Sequence, residues 1–78
     1  MFDYNLFDKI NEKVYNDAVM LIEKEFPYYY KERELIDVDS TRIQVFSKDG
    51  KSVIKVFNDT NIGAVYINSE IDLSDYFS

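Results

Sequence analysis

Proton transfer and nucleophilic attack near neutral pH rest first on histidine and cysteine, and this sequence contains neither. Their absence removes the common nucleophile–base pairs. Lack of cysteine also removes thiolate metal sites and any disulfide framework. Carboxylates remain. Asp37 and Asp39 lie two residues apart, on one side of a regular strand, and two close carboxylates can share a proton. A solvated turn entrance before Ser40 accounts for the same pair and is preferred. Asp59 and Asn61 open like an oxygen-ligand loop, but no glycine follows at the required place and Ile62 and Val65 intrude. Turn chemistry explains Asn58 to Asn61 without a metal. Gly50 and Gly63 are the only glycines, too few for a phosphate-cradling loop. The expectation is no enzyme, with no catalytic residue, no cofactor and no metal.

Binding is better supplied. Six phenylalanines and seven tyrosines are more rings than a small core easily hides, and tyrosine joins a rigid apolar body to a polar tip, as interface anchors do. Tyr28, Tyr29 and Tyr30 are consecutive and must point in at least two directions. Charge is the second signal. Fifteen acids against nine bases give a net charge of −6. The excess falls late in the chain, where Asp59, Glu70, Asp72 and Asp75 meet no base after Lys55. An acidic pole repels nucleic acid and anionic membrane surfaces and complements a basic protein surface.

These residues need elements to hold them. Phe7, Ile10, Val14, Ala18 and Leu21 fall in one stripe at 100° per residue, widened by Tyr15 and Ile22, and predict one long helix over the first 26 residues. Asn5 would cap it, and Pro27 stops it. Asp8, Glu12 and Glu23 lie on one flank of that stripe, and Lys9, Lys13 and Lys24 on the other. Asp49-Gly50 between Thr41–Lys48 and Lys51–Phe57 predicts a tight hairpin. Pairing Lys48 with Lys51 sets Val45 opposite Ile54 and Ile43 opposite Val56 as the core face. Phe46, Val53, Phe57, Ile62 and Tyr66 then fall on the reverse face. Asn58 to Asn61 would form a four-residue turn pairing Phe57 with Ile62 and leading to a third strand over residues 62–67. Leu35–Val38 is an optional edge strand. Leu73, Tyr76 and Phe77 have helical spacing.

The predicted fold class is α+β: a long N-terminal helix on a three-stranded antiparallel meander, four-stranded if residues 35–38 join, with a short C-terminal helical segment. Residues 1–78 form one domain, with 46% apolar and 31% charged residues, as in globular chains. The longest apolar run, Ala18–Ile22, is far short of a membrane span. The opening Met1-Phe2-Asp3 lacks the basic flank of a signal peptide. A cytoplasmic location is expected, and the Asn-, Asp-, Lys- and Tyr-rich composition suits an AT-rich microbial or phage genome.

The functional expectation is a small acidic protein-binding module that does not itself bind nucleic acid or membrane. One form is an inhibitor of the phage or microbial anti-defence kind (anti-CRISPR or anti-restriction). In it Glu70, Asp72, Asp75 and Asp59 would occupy the basic groove of a nucleic-acid-binding enzyme beside tyrosine anchors. The alternative is a homodimer or adaptor joined through Phe46, Phe57 and Tyr66 on the reverse sheet face.

Overall fold

The computed structural model describes residues 1–77. Its chain order is β1 (Phe2–Phe7), α1 (Glu12–Glu25), β2 (Tyr30–Lys31), β3 (Leu35–Ile36), β4 (Arg42–Lys48), β5 (Lys51–Asp59) and β6 (Ala64–Ser69). All pairings are antiparallel. The strands run β1-β6-β5-β4-β2 across the sheet, and β3 pairs the same edge of β4 as β2. The first strand therefore lies beside the last.

The long-helix-on-meander expectation is overturned by this six-stranded sheet with one 14-residue helix. Residues 2–7, Phe-Asp-Tyr-Asn-Leu-Phe, alternate with the two-residue period of a strand. Phe7 and Ile10 had extended the helical stripe only because their spacing from Val14 also fits a helix. The helix starts later because Asn11, not Asn5, caps it. The Asn11 side chain accepts from the Val14 N–H at 3.0 Å with extended backbone, satisfying a donor that the first turn leaves free. At the other end Phe26 still donates to the Ile22 carbonyl at 2.8 Å before Pro27 ends the run. Without Phe7 and Ile10, the buried stripe consists of Tyr15, Ala18, Val19 and Ile22.

Asp49-Gly50 makes the expected tight turn, with φ of 54° and 78°, and Lys48 faces Lys51. Ser47 faces Ser52, but Phe46 faces Ile54. Val53 is the extra residue of a β-bulge, and beyond it the register slips by one. Because side chains alternate, this slip exchanges the two faces of β4. Phe46 and Gln44 turn toward the helix, while Ile43 and Val45 turn away. The expected core pairs of Val45 with Ile54 and Ile43 with Val56 do not form. The second turn is also later than expected. Strand β5 continues to Asp59, which pairs with Ala64, and Gly63 at φ 75° donates to the Asp59 carbonyl at 2.8 Å. A left-handed position falls naturally on glycine.

One core lies between α1 and the sheet. Ile22, Ile54, Val56, Val65, Ile67 and Leu73 are fully buried there, each aliphatic side chain contributing about 1.5–3 kcal/mol by burial. Leu73 belongs to a C-terminal tail that covers the same face beside the helix. The expected C-terminal helix is a single turn, with Tyr76 and Phe77 both donating to the Leu73 carbonyl at 2.9 Å. It is anchored by Tyr4, whose hydroxyl accepts from the Leu73 N–H at 2.7 Å and donates to Asp72 at 3.1 Å. No helix among the described residues is long and apolar enough to cross a membrane.

Candidate interaction surface

The helix and the tail both lie on one side of the sheet, and among the described residues no element covers the other. Cross-strand pairing writes out what that open face carries. One row reads Leu35, Ile43, Phe57, Tyr66 and Asn5 across β3, β4, β5, β6 and β1, and the next reads Val45, Lys55, Asn68 and Asp3. Four successive members of the first row are apolar or aromatic. Leu35 is 54% exposed at the sheet edge, and Ile43, Val45, Phe57 and Tyr66 are half-buried against one another.

At the centre the Phe57 and Tyr66 rings stack, 4.6 Å between centroids and 13° from parallel. The Tyr66 hydroxyl donates to Asp59 Oδ2 at 2.7 Å, while Asp59 Oδ1 accepts the N–H groups of Asn61 at 2.9 Å and Ile62 at 3.2 Å. One carboxylate thus pins both the turn and the ring. The bond from Tyr66 holds the Asp59 carboxyl below its ordinary value, outweighing burial, with the two turn N–H groups adding to the effect. Burial first, and Asp59 second, push the Tyr66 phenol up to about 12. The result is a rigid aromatic platform with a neutral phenol. Beyond it, Ala64, Asn5 and Asp3 leave a shallow trough running to the β1 edge.

The tyrosine run lies at the end of the sheet where β4 finishes. Tyr29 stacks on Phe26 at 5.6 Å, and Tyr28 and Tyr76 each set an edge against Phe26 at 6.1 and 5.5 Å. Tyr28, Tyr30 and Tyr76 are exposed. Through Phe26 the run meets the tail at Tyr76, the neighbour of Asp75, whereas Asp72 lies against Tyr4 of β1. Asp72 is occupied as a turn cap, accepting from Tyr4 and from the Ser74 N–H at 2.8 Å. These bonds, Ser74's the larger, hold its carboxyl below the ordinary value. Glu70 and Asp75 are exposed.

Asp59 lies apart from the acids of the tail. It pairs with the first residue of β6 while Glu70 follows the last, which puts the strand's length between them. The four late acids therefore do not make one surface. Phe46 is 1% exposed and faces the helix, so it belongs to the core, whereas Phe57 and Tyr66 lie on the open face as expected. Sequence reasoning missed Leu35, Ile43 and Val45 as face residues, because nothing in the residues around Val53 announces the bulge.

Asp37 and Asp39 are both engaged locally. Asp37 accepts from the Val38 N–H at 2.8 Å and Asp39 from the Thr41 N–H at 3.0 Å, the second bond drawing the Asp39 carboxyl below its ordinary value. Among the described residues no group of three or more His, Cys, Asp or Glu side chains could hold a metal ion.

A second polar cluster ties the helix to the sheet edge. Tyr15, 1% exposed, donates to Glu34 Oε2 at 2.7 Å. Arg42 bridges Glu34 at 3.0 Å and Glu12 at 2.8 Å, with its guanidinium 5.4 Å over the Tyr15 ring. Burial pushes the Glu34 carboxyl up, but the bonds from Tyr15 and Arg42 and the charges of Arg42 and Lys31 outweigh it and leave it below the ordinary value. Arg42 Nε, buried within the cluster, has no hydrogen-bond partner among the described residues, so the guanidinium is held through its two terminal nitrogens alone. Comparison with known protein families, characterised proteins and solved structures finds no match.

Proposed function

We propose that this chain is a non-catalytic protein-binding module that docks its partner on the open face of the sheet. The observation that carries the reading is the uncovered row Leu35, Ile43, Phe57 and Tyr66. A sheet of this width normally buries both faces or wets one with polar side chains. Here the second face is apolar at its centre and polar at its rim, the composition of an interface core. The Phe57–Tyr66 stack is held before binding, which lowers the ordering cost of association. Asp3 and Asp59 at the rim, with the net charge of −6, favour a partner that surrounds its own apolar patch with lysine and arginine. The site of action under this reading is the cytoplasm.

A second reading rests on the Phe26–Tyr76 contact at 5.5 Å, which joins the tyrosine run to the acidic tail. In it Tyr28, Tyr30, Glu70 and Asp75 dock on a basic groove, as an inhibitor of a nucleic-acid-binding enzyme would. Affinity capture from the cells that encode the chain separates the two. Loss of the captured protein with Phe57→Lys and retention with Glu70→Gln/Asp75→Asn supports the face. Retention with Phe57→Lys, together with salt-sensitive loss in the acid variant, refutes the face and favours the pole.

A further inference from the structure

The two edges of the sheet are finished differently. On the β4 side the edge is broken into two dipeptides, β2 and β3, by Glu32-Arg33-Glu34. That connector is tied down. The Glu32 N–H donates to the Val45 carbonyl at 2.9 Å, Ser47 donates to the Glu32 carboxylate at 2.6 Å, and Glu34 holds Arg42 and Tyr15. Short strands and charged side chains are how proteins blunt an edge against strand addition.

Strand β1, at the opposite edge, is six residues long and contains no proline, lysine or arginine. The tail contacts its Tyr4 side chain on the helix side. Among the described residues no backbone group outside β6 bonds to its backbone. Alternate N–H and C=O groups of β1 thus point outward unmet, flanked by Phe2 and Phe7, each a little over 40% exposed.

We propose that two copies of this chain join through their β1 strands, antiparallel, into one continuous sheet. Residues facing each other across such a junction must lie on the same side of the sheet. On β1, Phe2, Tyr4 and Leu6 face the helix side, and Asp3 and Asn5 face the open side. Three two-fold registers satisfy this. Centring on Asp3 sets Asp3 against its own copy, two like charges directly opposed. Centring on Asn5 sets Asp3 against Phe7, beyond the irregularity between Asn5 and Phe7, where the faces no longer match. Centring on Tyr4 sets Phe2 against Leu6 and Asp3 against Asn5, each twice by symmetry. The apolar residues then meet on the covered side, and each Asp3 carboxylate meets the Asn5 amide, which gives one N–H to Asp8 at 2.7 Å and has its second to donate across the junction. The two-fold axis runs perpendicular to the sheet, so both helices lie on one side and the two open faces merge on the other. The junction leaves the docking face free and does not depend on the docking reading.

Light scattering and sedimentation over about 10 µM to 1 mM test the junction on the whole chain. Wild type is expected to pass from monomer to dimer across that range, with outward β1 amides gaining hydrogen-exchange protection as concentration rises. Asn5 is exposed and outside the core; its substitution gives up only a local, solvent-exposed bond to Asp8 at 2.7 Å, so the fold is kept. Asn5→Asp opposes Asp3 at two symmetric contacts and should weaken association by several-fold to about thirtyfold. Asn5→Lys should tighten it by a comparable factor, and Asp3→Lys/Asn5→Asp should restore it. A monomer throughout the range, or both Asn5 variants shifting association the same way, overturns the proposal. So does a dimer abolished by Phe57→Lys and indifferent to position 5, which would assign self-association to the open face.

Discussion

Replacing Tyr15 with phenylalanine isolates the cluster that fastens the helix to the broken edge. The ring is 1% exposed and keeps its packing in the variant, so the loss is confined to one hydroxyl. That hydroxyl donates at 2.7 Å to a carboxylate, and hydrogen bonds to charged groups contribute about 1.5–3 kcal/mol. The loss should fall toward the lower part of that range. Glu34 is 26% exposed and retains Arg42 at 3.0 Å, so water and the guanidinium compensate in part. We expect Tyr15→Phe to cost about 1–2 kcal/mol, which for a chain of this length lowers Tm by about 5–12 °C. Urea unfolding followed by circular dichroism measures it. The pH dependence gives a second, independent check. Glu34 has a depressed carboxyl, so its contribution is present above the ordinary value near 4.5 and is lost as pH falls through the lower folded value. The penalty should be full at neutral pH and should shrink as the pH is lowered below that value. A penalty under about 0.3 kcal/mol, or one unchanged between neutral and strongly acidic solution, would refute the account of this cluster.

The bulge makes a prediction that a regular hairpin would reverse. Phe46→Ala should cost about 3–5 kcal/mol, a large share of the stability of a domain this small. Ile43→Ala on the open face should cost well under half of that, and equal costs would mean the register slip is wrong. Asn58 is buried, and its Oδ1 accepts the Asn11 N–H at 3.0 Å at the start of the helix. Asn58→Ala strands that donor and should cost about 1–2 kcal/mol, with faster hydrogen exchange concentrated in the first helical turn; uniform acceleration across the chain would contradict a local role.

Where the sequence was legible, a local rule had no competitor. Asp49-Gly50 could be little but a tight turn, and Pro27 little but a stop. Val65, Ile67, Ile54 and Val56 alternate cleanly and are all core. The errors came where two periods fit the same residues or where one residue changed a phase. Phe7 and Ile10 satisfy helical spacing from Val14, and that match hid the strand alternation in residues 2–7. Asn11 was the better cap, because the β6 strand beside residues 2–7 needs them extended. Val53 is an ordinary strand residue, and nothing local marks it as the one left unpaired. Its effect depends on whether Phe46 or Val45 fills the space beneath the helix, a tertiary decision that favours the larger ring. The candidate site inherited that ambiguity: Phe57 and Tyr66 sit on a strand face readable from alternation, whereas Phe46, Ile43 and Val45 follow the slip.

The pairing of the first strand with the last has a consequence for how the molecule comes into being. β1 finds its neighbour only when residues 65–69 are present, so during synthesis it precedes its partner and stays unpaired until those residues have left the ribosome. The β4–β5–β6 meander can form from local contacts as it appears, but closure by β1 must bridge more than sixty residues (Tyr4 to Ile67). Such distant contacts come late and slow the final step. For that interval the nascent chain exposes unmet backbone on the edge of β6 and on both sides of β1. Chaperone demand should therefore concentrate at the N-terminal strand rather than at the hairpin.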